Sequence, residues 1–192
     1  MKKESTPINV TQFSKSLATE YLPWTQWPKR LPDILLDYKA NYPMAHLPSL
    51  QIGEELHEHL SRFLKYGKWI PPEYYFPCVT IADALLAIGF RLEDINSELS
   101  VQCGPVAGQV DVCGVLGNGR PCVVEVKATQ GKYVLPPRAS EVVQMATYAY
   151  GLGYSEPVLA CLRVAVRKCC VSAFIVDDGS AMVTGAQQAL VA

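Results

Sequence analysis

Asp111, Glu125 and Lys127 are the residues whose types and spacing most suggest chemistry. Glu125-Val126-Lys127 ends an apolar run, Cys122-Val123-Val124, and Asp111 lies in Gly108-Gln109-Val110-Asp111-Val112. Alternate side chains of a strand share a face, so Glu125 and Lys127 point to one side while Val126 goes into the core. The turn signal Gly117-Asn118-Gly119 folds the two runs into a hairpin and brings Asp111 beside the pair. Two carboxylates and an ammonium at the end of an apolar sheet are costly to desolvate unless something neutralises them. A hard divalent cation would do so. Oxygen ligands favour Mg²⁺ or Mn²⁺, and such an ion lowers the pKa of a bound water and screens an attacked phosphate. The chemistry this suits is phosphodiester hydrolysis, with Lys127 orienting the water or stabilising developing charge. The plain alternative is a salt bridge on a surface hairpin.

Two further elements occur in order around this trio. Gly53-Glu54-Glu55-Leu56-His57 is a G-x-x-x-H element on an upstream helical run, and Gln144-Met145-Ala146-Thr147-Tyr148 is a Q-x-x-x-Y element downstream of the lysine. With G-x-V-D and E-V-K-A-T, the ordered set resembles the RecB-like branch of the PD-(D/E)XK nuclease superfamily, which includes the nuclease domains of RecB and AddB, nucleases of CRISPR adaptation and phage exonucleases. The resemblance runs from about Gln51 to Tyr150. It implies that His57, Asp111, Glu125 and the backbone carbonyl of Val126 ligate a metal and that Asp111, Glu125 and Lys127 are catalytic. Gln144 and Tyr148, one turn apart, would hold the substrate strand or Lys127. An imidazole ligand tends to favour Mn²⁺ over Mg²⁺. His59 faces elsewhere on its helix, and Glu98, at the start of the first strand, reads more simply as a surface carboxylate than as an additional acid of the site.

The elements that must position these residues follow from periodicity. Leu50, Ile52, Leu56, Leu60, Phe63 and Leu64 recur at helical spacing, which predicts a helix from a Ser49 cap to about Tyr66, stopped by Pro71-Pro72. Val79 to Ile88 reads as a second helix ending at Gly89. Leu99 to Cys103, Gln109 to Leu116 and Pro121 to Lys127 read as a meander of strands, followed by a helix from a Ser140 cap to Tyr150. Val158 to Val166 and Val171 to Val176 are then strands, and Ala181 to Val191 a closing helix. This order predicts an α/β (α+β) fold, a mixed sheet flanked by helices, with the restriction-endonuclease-like core that the resemblance implies over residues 49–192. Residues 1–48, rich in proline and tryptophan with one helix-like run from Asp33 to Lys39, read as an irregular N-terminal arm.

Composition bounds the partners. The 192 residues carry 17 Lys and Arg against 18 Asp and Glu, 49 % are apolar and 18 % charged, so the chain reads as one folded domain with no global polycationic character. Position matters more than the total: between Arg120 and Lys168, seven basic residues face three acids. Lys132 and Arg138, in the segment after Lys127, are candidate substrate-binding residues for DNA phosphates. Met1 to Pro7 lead into no apolar core of signal type and no window suits a membrane span, which predicts a soluble, cytoplasmic protein. Seven cysteines without a C-x-x-C pair read as reduced core thiols, and their spacing argues against an iron–sulfur cluster. The expected function is a Mg²⁺- or Mn²⁺-dependent deoxyribonuclease, an exonuclease on linear DNA ends or single strands. With no motor in the chain, any translocation falls to a recombination or helicase partner, and an oligomer is compatible. The alternatives are an RNA or structure-specific endonuclease, or a nuclease fold kept as a binding or inhibitor module. Asp111→Ala is expected to abolish metal binding and leave the fold intact.

Overall fold

The computed structural model describes residues 7–17, 29–30, 34–35, 48–67, 69–130, 134–165 and 170–191. Strand β1 (Ile8–Asn9) leads into helix α1 (Val10–Leu17), and two short strands follow, β2 (Lys29–Arg30) and β3 (Ile34–Leu35). Helices α2 (Ser49–Tyr66) and α3 (Pro72–Ile88) precede the meander β4 (Phe90–Cys103), β5 (Val106–Leu116) and β6 (Pro121–Thr129). Helix α4 (Ala139–Gly151), strands β7 (Val158–Ala165) and β8 (Cys170–Val176), and helix α5 (Ser180–Val191) complete the chain.

One mixed sheet runs β1-β5-β6-β7-β8-β2, with β4 also paired to β5 and β3 to β8. The meander is antiparallel, β6 and β7 are parallel, and β7–β8 is antiparallel. A parallel pair needs a crossover, and α4 supplies it. Both faces are covered. Ile52, Leu56 and Leu60 of α2, with Cys78, Ile81 and Leu85 of α3, pack on Val112, Cys122, Val124 and Val126. Val10 of α1, Met145, Ala146 and Tyr148 of α4, and Met182 and Val183 of α5 pack on Val101, Val110, Val123 and Leu159. The expected mixed α/β architecture is therefore present, and no helix among the described residues is long and apolar enough to cross a membrane.

Several boundaries differ from expectation for local reasons. Pro48, not Ser49, occupies the N-cap position of α2. Pro71-Pro72 does not merely stop α2: Pro72 opens α3, where its missing N–H costs nothing, so that helix starts seven residues before Val79. Helix α4 is capped by Arg138, whose backbone N–H donates to Glu141 Oε2 at 2.7 Å, and Ser140 lies inside it. Strand β4 begins at Phe90, hidden in the sequence by the charged stretch Arg91 to Asp94, where the pairing with β5 is irregular. Within the segment read as an arm, Ile34–Leu35 is a strand against β8 rather than part of a helix, and the rest of the Asp33–Lys39 run lies outside the described residues. Residues 8–17 belong to the body of the fold, with Val10 fully buried.

The sheet changes face at one row. Ser97 lies beneath α2, its hydroxyl 3.2 Å from that of Ser61, yet Val101 and Cys103, which a regular strand would place on the same side, pack under α4. On β5, Val112 joins the α2–α3 layer while Val110 joins the α4 layer. The reversal falls at Glu98, whose φ is +52°, and at Asp111 opposite it, between the pairs Ser97–Val112 and Leu99–Val110. The β5–β6 ladder also runs only from Val115–Pro121 to Val112–Val124. One step further, the Val126 N–H donates to Asp111 Oδ2 at 2.7 Å, so a side chain replaces a ladder bond.

This changes the expectation for Asp111→Ala. The substitution removes the acceptor of a buried N–H, and we expect it to lower stability by about 1–3 kcal/mol, whereas Asp111→Asn keeps an acceptor and costs less. Urea unfolding midpoints of the two metal-free variants check the order.

Candidate metal centre

Four elements deliver the polar residues to this row. Leu56 is locked in the core, so its neighbour His57 emerges at the edge of α2, over the end of the meander. His57 Nδ1 lies 3.2 Å from Asp111 Oδ1 and 3.5 Å from Glu98 Oε1. One ligand atom from each of His57, Glu98 and Asp111 lies within 4.8 Å of the others, a grouping that could hold a metal ion. Of the expected ligands, His57 and Asp111 lie in this close group and Glu125 adjoins it, while Glu98, which reads in the sequence as a surface carboxylate, is the third member and is partly buried. Glu125, only 1 % exposed, is held by the Lys127 ammonium through Oε1, while its buried Oε2 has no partner. Val126 lines the cleft and anchors Asp111 through its N–H.

Glu98 had a legible signal. Positions 98 and 111 are equidistant from the Gly104-Pro105 turn, as positions 111 and 125 are from Asn118, so two hairpins set three carboxylates in one row across β4, β5 and β6. Three carboxylates against Lys127 leave two negative charges in excess when His57 is neutral, which one divalent cation balances. The donor set, one imidazole among carboxylate oxygens, together with the orphaned Glu125 oxygen, fits Mn²⁺ or Mg²⁺.

Titration reflects the same crowding. Burial works against a charged imidazole, but hydrogen bonds to Asp111 and Glu98 and the charges of Asp111 and Glu125 outweigh it and push His57 up to about 10. Burial, then the Asp111 charge, raise Glu125 above the usual carboxylate range against the pull of Lys127. Lys127 is itself raised, the charges of Glu125 and Asp111 outweighing its desolvation.

The other expected residues divide. Gln144 and Tyr148 are 7 % and 3 % exposed, lie between α4 and the sheet, and bond to each other, Gln144 Nε2 donating to the Tyr148 hydroxyl at 3.2 Å. Neither lines the cleft beside the metal group. Tyr148 accounts for Gly108: a Cβ there would lie 2.8 Å from the tyrosine oxygen, so the glycine makes room for the ring. Arg138 is exposed at the start of α4, and Lys132 lies outside the described residues. The basic excess is partly consumed internally, since Arg120 bonds the Asp177 carbonyl, Lys127 pairs with Glu125 and Arg163 with Glu141. His59 packs its ring 4.6 Å from that of Tyr74, away from the site. The cysteines at 78, 103, 113, 122, 161 and 170 are buried free thiols.

A cleft of about 380 Å³ opens beside the group, lined by Leu50, Gly53, Glu54, His57, Glu98 and Lys127 among others. A second hollow of about 450 Å³ shares Glu54, His57 and Glu98 and continues along α2 to Ser61 and Arg62.

No family model matches the chain, and no curated protein does. Among solved structures, the crystal structure of SSO0001 aligns with 100 % of this chain and 78 % of its own, at 14 % identity and a TM-score of 0.42.

An imidazole ligand must be neutral, so metal binding competes with the His57 proton. His57 is raised in the metal-free fold, and its contribution to stability is full below its ordinary value of 6.5 and lost as pH rises through about 10. Calorimetry of Mn²⁺ binding near neutral pH, in buffers of different ionisation enthalpy, is expected to show release of about one proton per ion, with affinity tightening as pH rises. His57→Gln should remove that release and weaken binding.

Proposed function

We propose that the chain is a metal-dependent nuclease that hydrolyses DNA phosphodiester bonds, with exonuclease action on ends as its mode, on a restriction-endonuclease-like core of RecB-like type. One observation carries the reading: the His57–Glu98–Asp111 group and the Glu125–Lys127 pair converge on the row where the sheet changes face, beside an open cleft. Hydrogen-bonded structural networks do not need a buried carboxylate oxygen left without a partner, and Glu125 has one.

In this reading His57, Glu98 and Asp111 would hold the cation, and Glu125, with one carboxylate oxygen unpartnered, would add negative charge beside it. The ion supplies Lewis acidity toward water and phosphate when bound. Lys127, fixed by Glu125, presents its ammonium at the cleft, where it orients the attacking water and offsets charge growing on the phosphoryl oxygens. Water adds to phosphorus as the bond to the departing sugar oxygen breaks; the water gives up one proton to solvent and the departing oxygen takes one up from it, leaving a phosphomonoester and a free hydroxyl.

Purified protein with Mn²⁺ is expected to degrade linear DNA and spare closed circles. Lys127→Ala should keep Mn²⁺ affinity within a few-fold while lowering turnover at least about a hundredfold. Cleavage of circles would replace exonuclease by endonuclease action, degradation of RNA alone would change the substrate class, and no hydrolysis of either with Mg²⁺ or Mn²⁺ would remove the enzyme reading.

Gly53 gives a second test, because it lies inside α2 yet a Cβ there would meet no atom within 4 Å and would stand in the cleft wall. Gly53→Ala should raise stability by about 0.5–1 kcal/mol, the usual gain in a helix interior, while lowering DNA turnover. Unfolding midpoints and rates on one preparation check the opposed signs.

A further inference from the structure

The residue next to Lys127 across the sheet is Arg163, its partner in the parallel β6–β7 register, so the two side chains leave the same face of adjacent strands. Arg163 is only 12 % exposed, and such a guanidinium is rarely buried without a purpose. It does not reach the metal group. Its Nη2 ion-pairs with Glu141 Oε2 in the first turn of α4 and reaches the Pro136 carbonyl at 3.4 Å, while its buried Nε has no partner.

Glu141 Oε2 is thereby shared, since it also accepts the Arg138 N–H that closes the helix cap. One carboxylate oxygen thus ties together the last residues of the β6–α4 connection, the start of α4 and strand β7. Glu141, Gln144 and Tyr148 follow at spacings of three and four, so they form one stripe on the helix. That stripe runs from the Arg163 anchor to the tyrosine packed on Gly108, beside the strand that carries Asp111. The charge of Glu141 is also felt at Lys127. Shifting α4 along the sheet would move every member of the stripe relative to Lys127 and Asp111.

We infer that Arg163 is a positioning residue: by clamping Glu141 and the Pro136 carbonyl, it fixes the register of α4 over the sheet, and with it the packing of the Gln144-bonded Tyr148 on Gly108 of the strand that carries Asp111. The inference rests on the nuclease reading for its functional consequence but not for the clamp itself. The guanidinium suits the task because it is planar, always charged and able to bond in two directions at once, which an ammonium on a flexible stem does less well.

The test uses the full chain with Mn²⁺ and linear DNA. Arg163→Met, close in length and apolar, should lower kcat about 10- to 100-fold, the effect of a displacement of about 1 Å, with Mn²⁺ affinity and KM changed little. Glu141→Gln should reproduce the loss, and Arg163→Lys should recover part of it. The deciding readout is coupling. Gln144→Leu should lower turnover by itself, and adding Arg163→Met to it should cost little more, because the clamp acts through that stripe. Independent, multiplying losses, an unchanged kcat in Arg163→Met, or a Gln144→Leu variant of full activity would each overturn the inference. So would a parallel loss of Mn²⁺ affinity, the mark of a generally loosened fold. The clamp is also read without catalysis, by hydrogen exchange of residues 139–148, which Arg163→Met should accelerate; unchanged exchange overturns it. If wild-type protein hydrolyses no nucleic acid while exchange still responds, the nuclease reading fails and the clamp stands.

Discussion

Glu98, Asp111 and Glu125 stand in one row across three adjacent strands, and the mutual repulsion of these carboxylates at the buried end of a sheet is the condition the rest of the structure answers. Two like charges about 4 Å apart at an effective dielectric constant of about 20 repel by roughly 4 kcal/mol, a large part of the roughly 5–15 kcal/mol by which a domain is stable. The row therefore needs counter-charges built in. The chain supplies the His57 imidazole against Glu98 and Asp111, the Lys127 ammonium against Glu125, and the Val126 N–H against the second oxygen of Asp111. Each answers part of the charge. An excess remains that a proton on His57 reduces in the metal-free chain and a divalent cation would remove.

The architecture follows from getting those counter-groups to one place. His57 reaches the row because Ile52, Leu56 and Leu60 bury the other side of α2, so the core fixes the helix and the helix aims the imidazole. Lys127 reaches it because β6 is central, paired on both sides, and cannot shift register without moving its whole apolar set to the wrong face. The face change at Glu98 and Asp111 lets the same two strands fill the α2–α3 layer at one end and the α4 layer at the other, and the β5–β6 ladder ends beside it.

Periodicity and turn chemistry carried most of this into view from the amino-acid sequence. The helix at 49–66, the meander, the crossover helix and the last two strands depend on local patterns, namely buried residues four apart, β-branched runs and Gly-Asn-Gly, and the structure follows them. The hairpin around Asn118 likewise made the Asp111–Glu125–Lys127 convergence readable. What escaped was non-local or locally contradictory. Strand β4 is longer than its pattern predicts because Arg91 to Asp94 looks like loop, and only its pairing with β5 makes it strand. Helix α3 starts earlier than its pattern predicts because a proline pair reads as a stop although it also opens a helix. Glu98 escapes the pattern because its partner in space lies across a turn, and a carboxylate at a strand start is ordinarily solvated. Gln144 and Tyr148 fell on one helical stripe as expected, but helical spacing alone does not tell whether a stripe faces a ligand or the sheet.

Glu98 also joins local strain to the centre. Its φ of +52° belongs to the left-handed region, which costs an L-residue roughly 1–2 kcal/mol and suits glycine or asparagine better. A backbone device for reversing a strand's face would work at least as well with glycine, so the turn by itself does not call for glutamate. What glutamate adds is a carboxylate within 3.5 Å of His57, on the row with Asp111. Strain of this size persists where the surrounding structure over-determines it, and here the β4–β5 pairing on either side holds the residue in place. The chain thus accepts a backbone penalty and a charge penalty at the same residue. A divalent cation in the group would offset the charge part of that cost and leave the backbone part, which the β4–β5 pairing sustains.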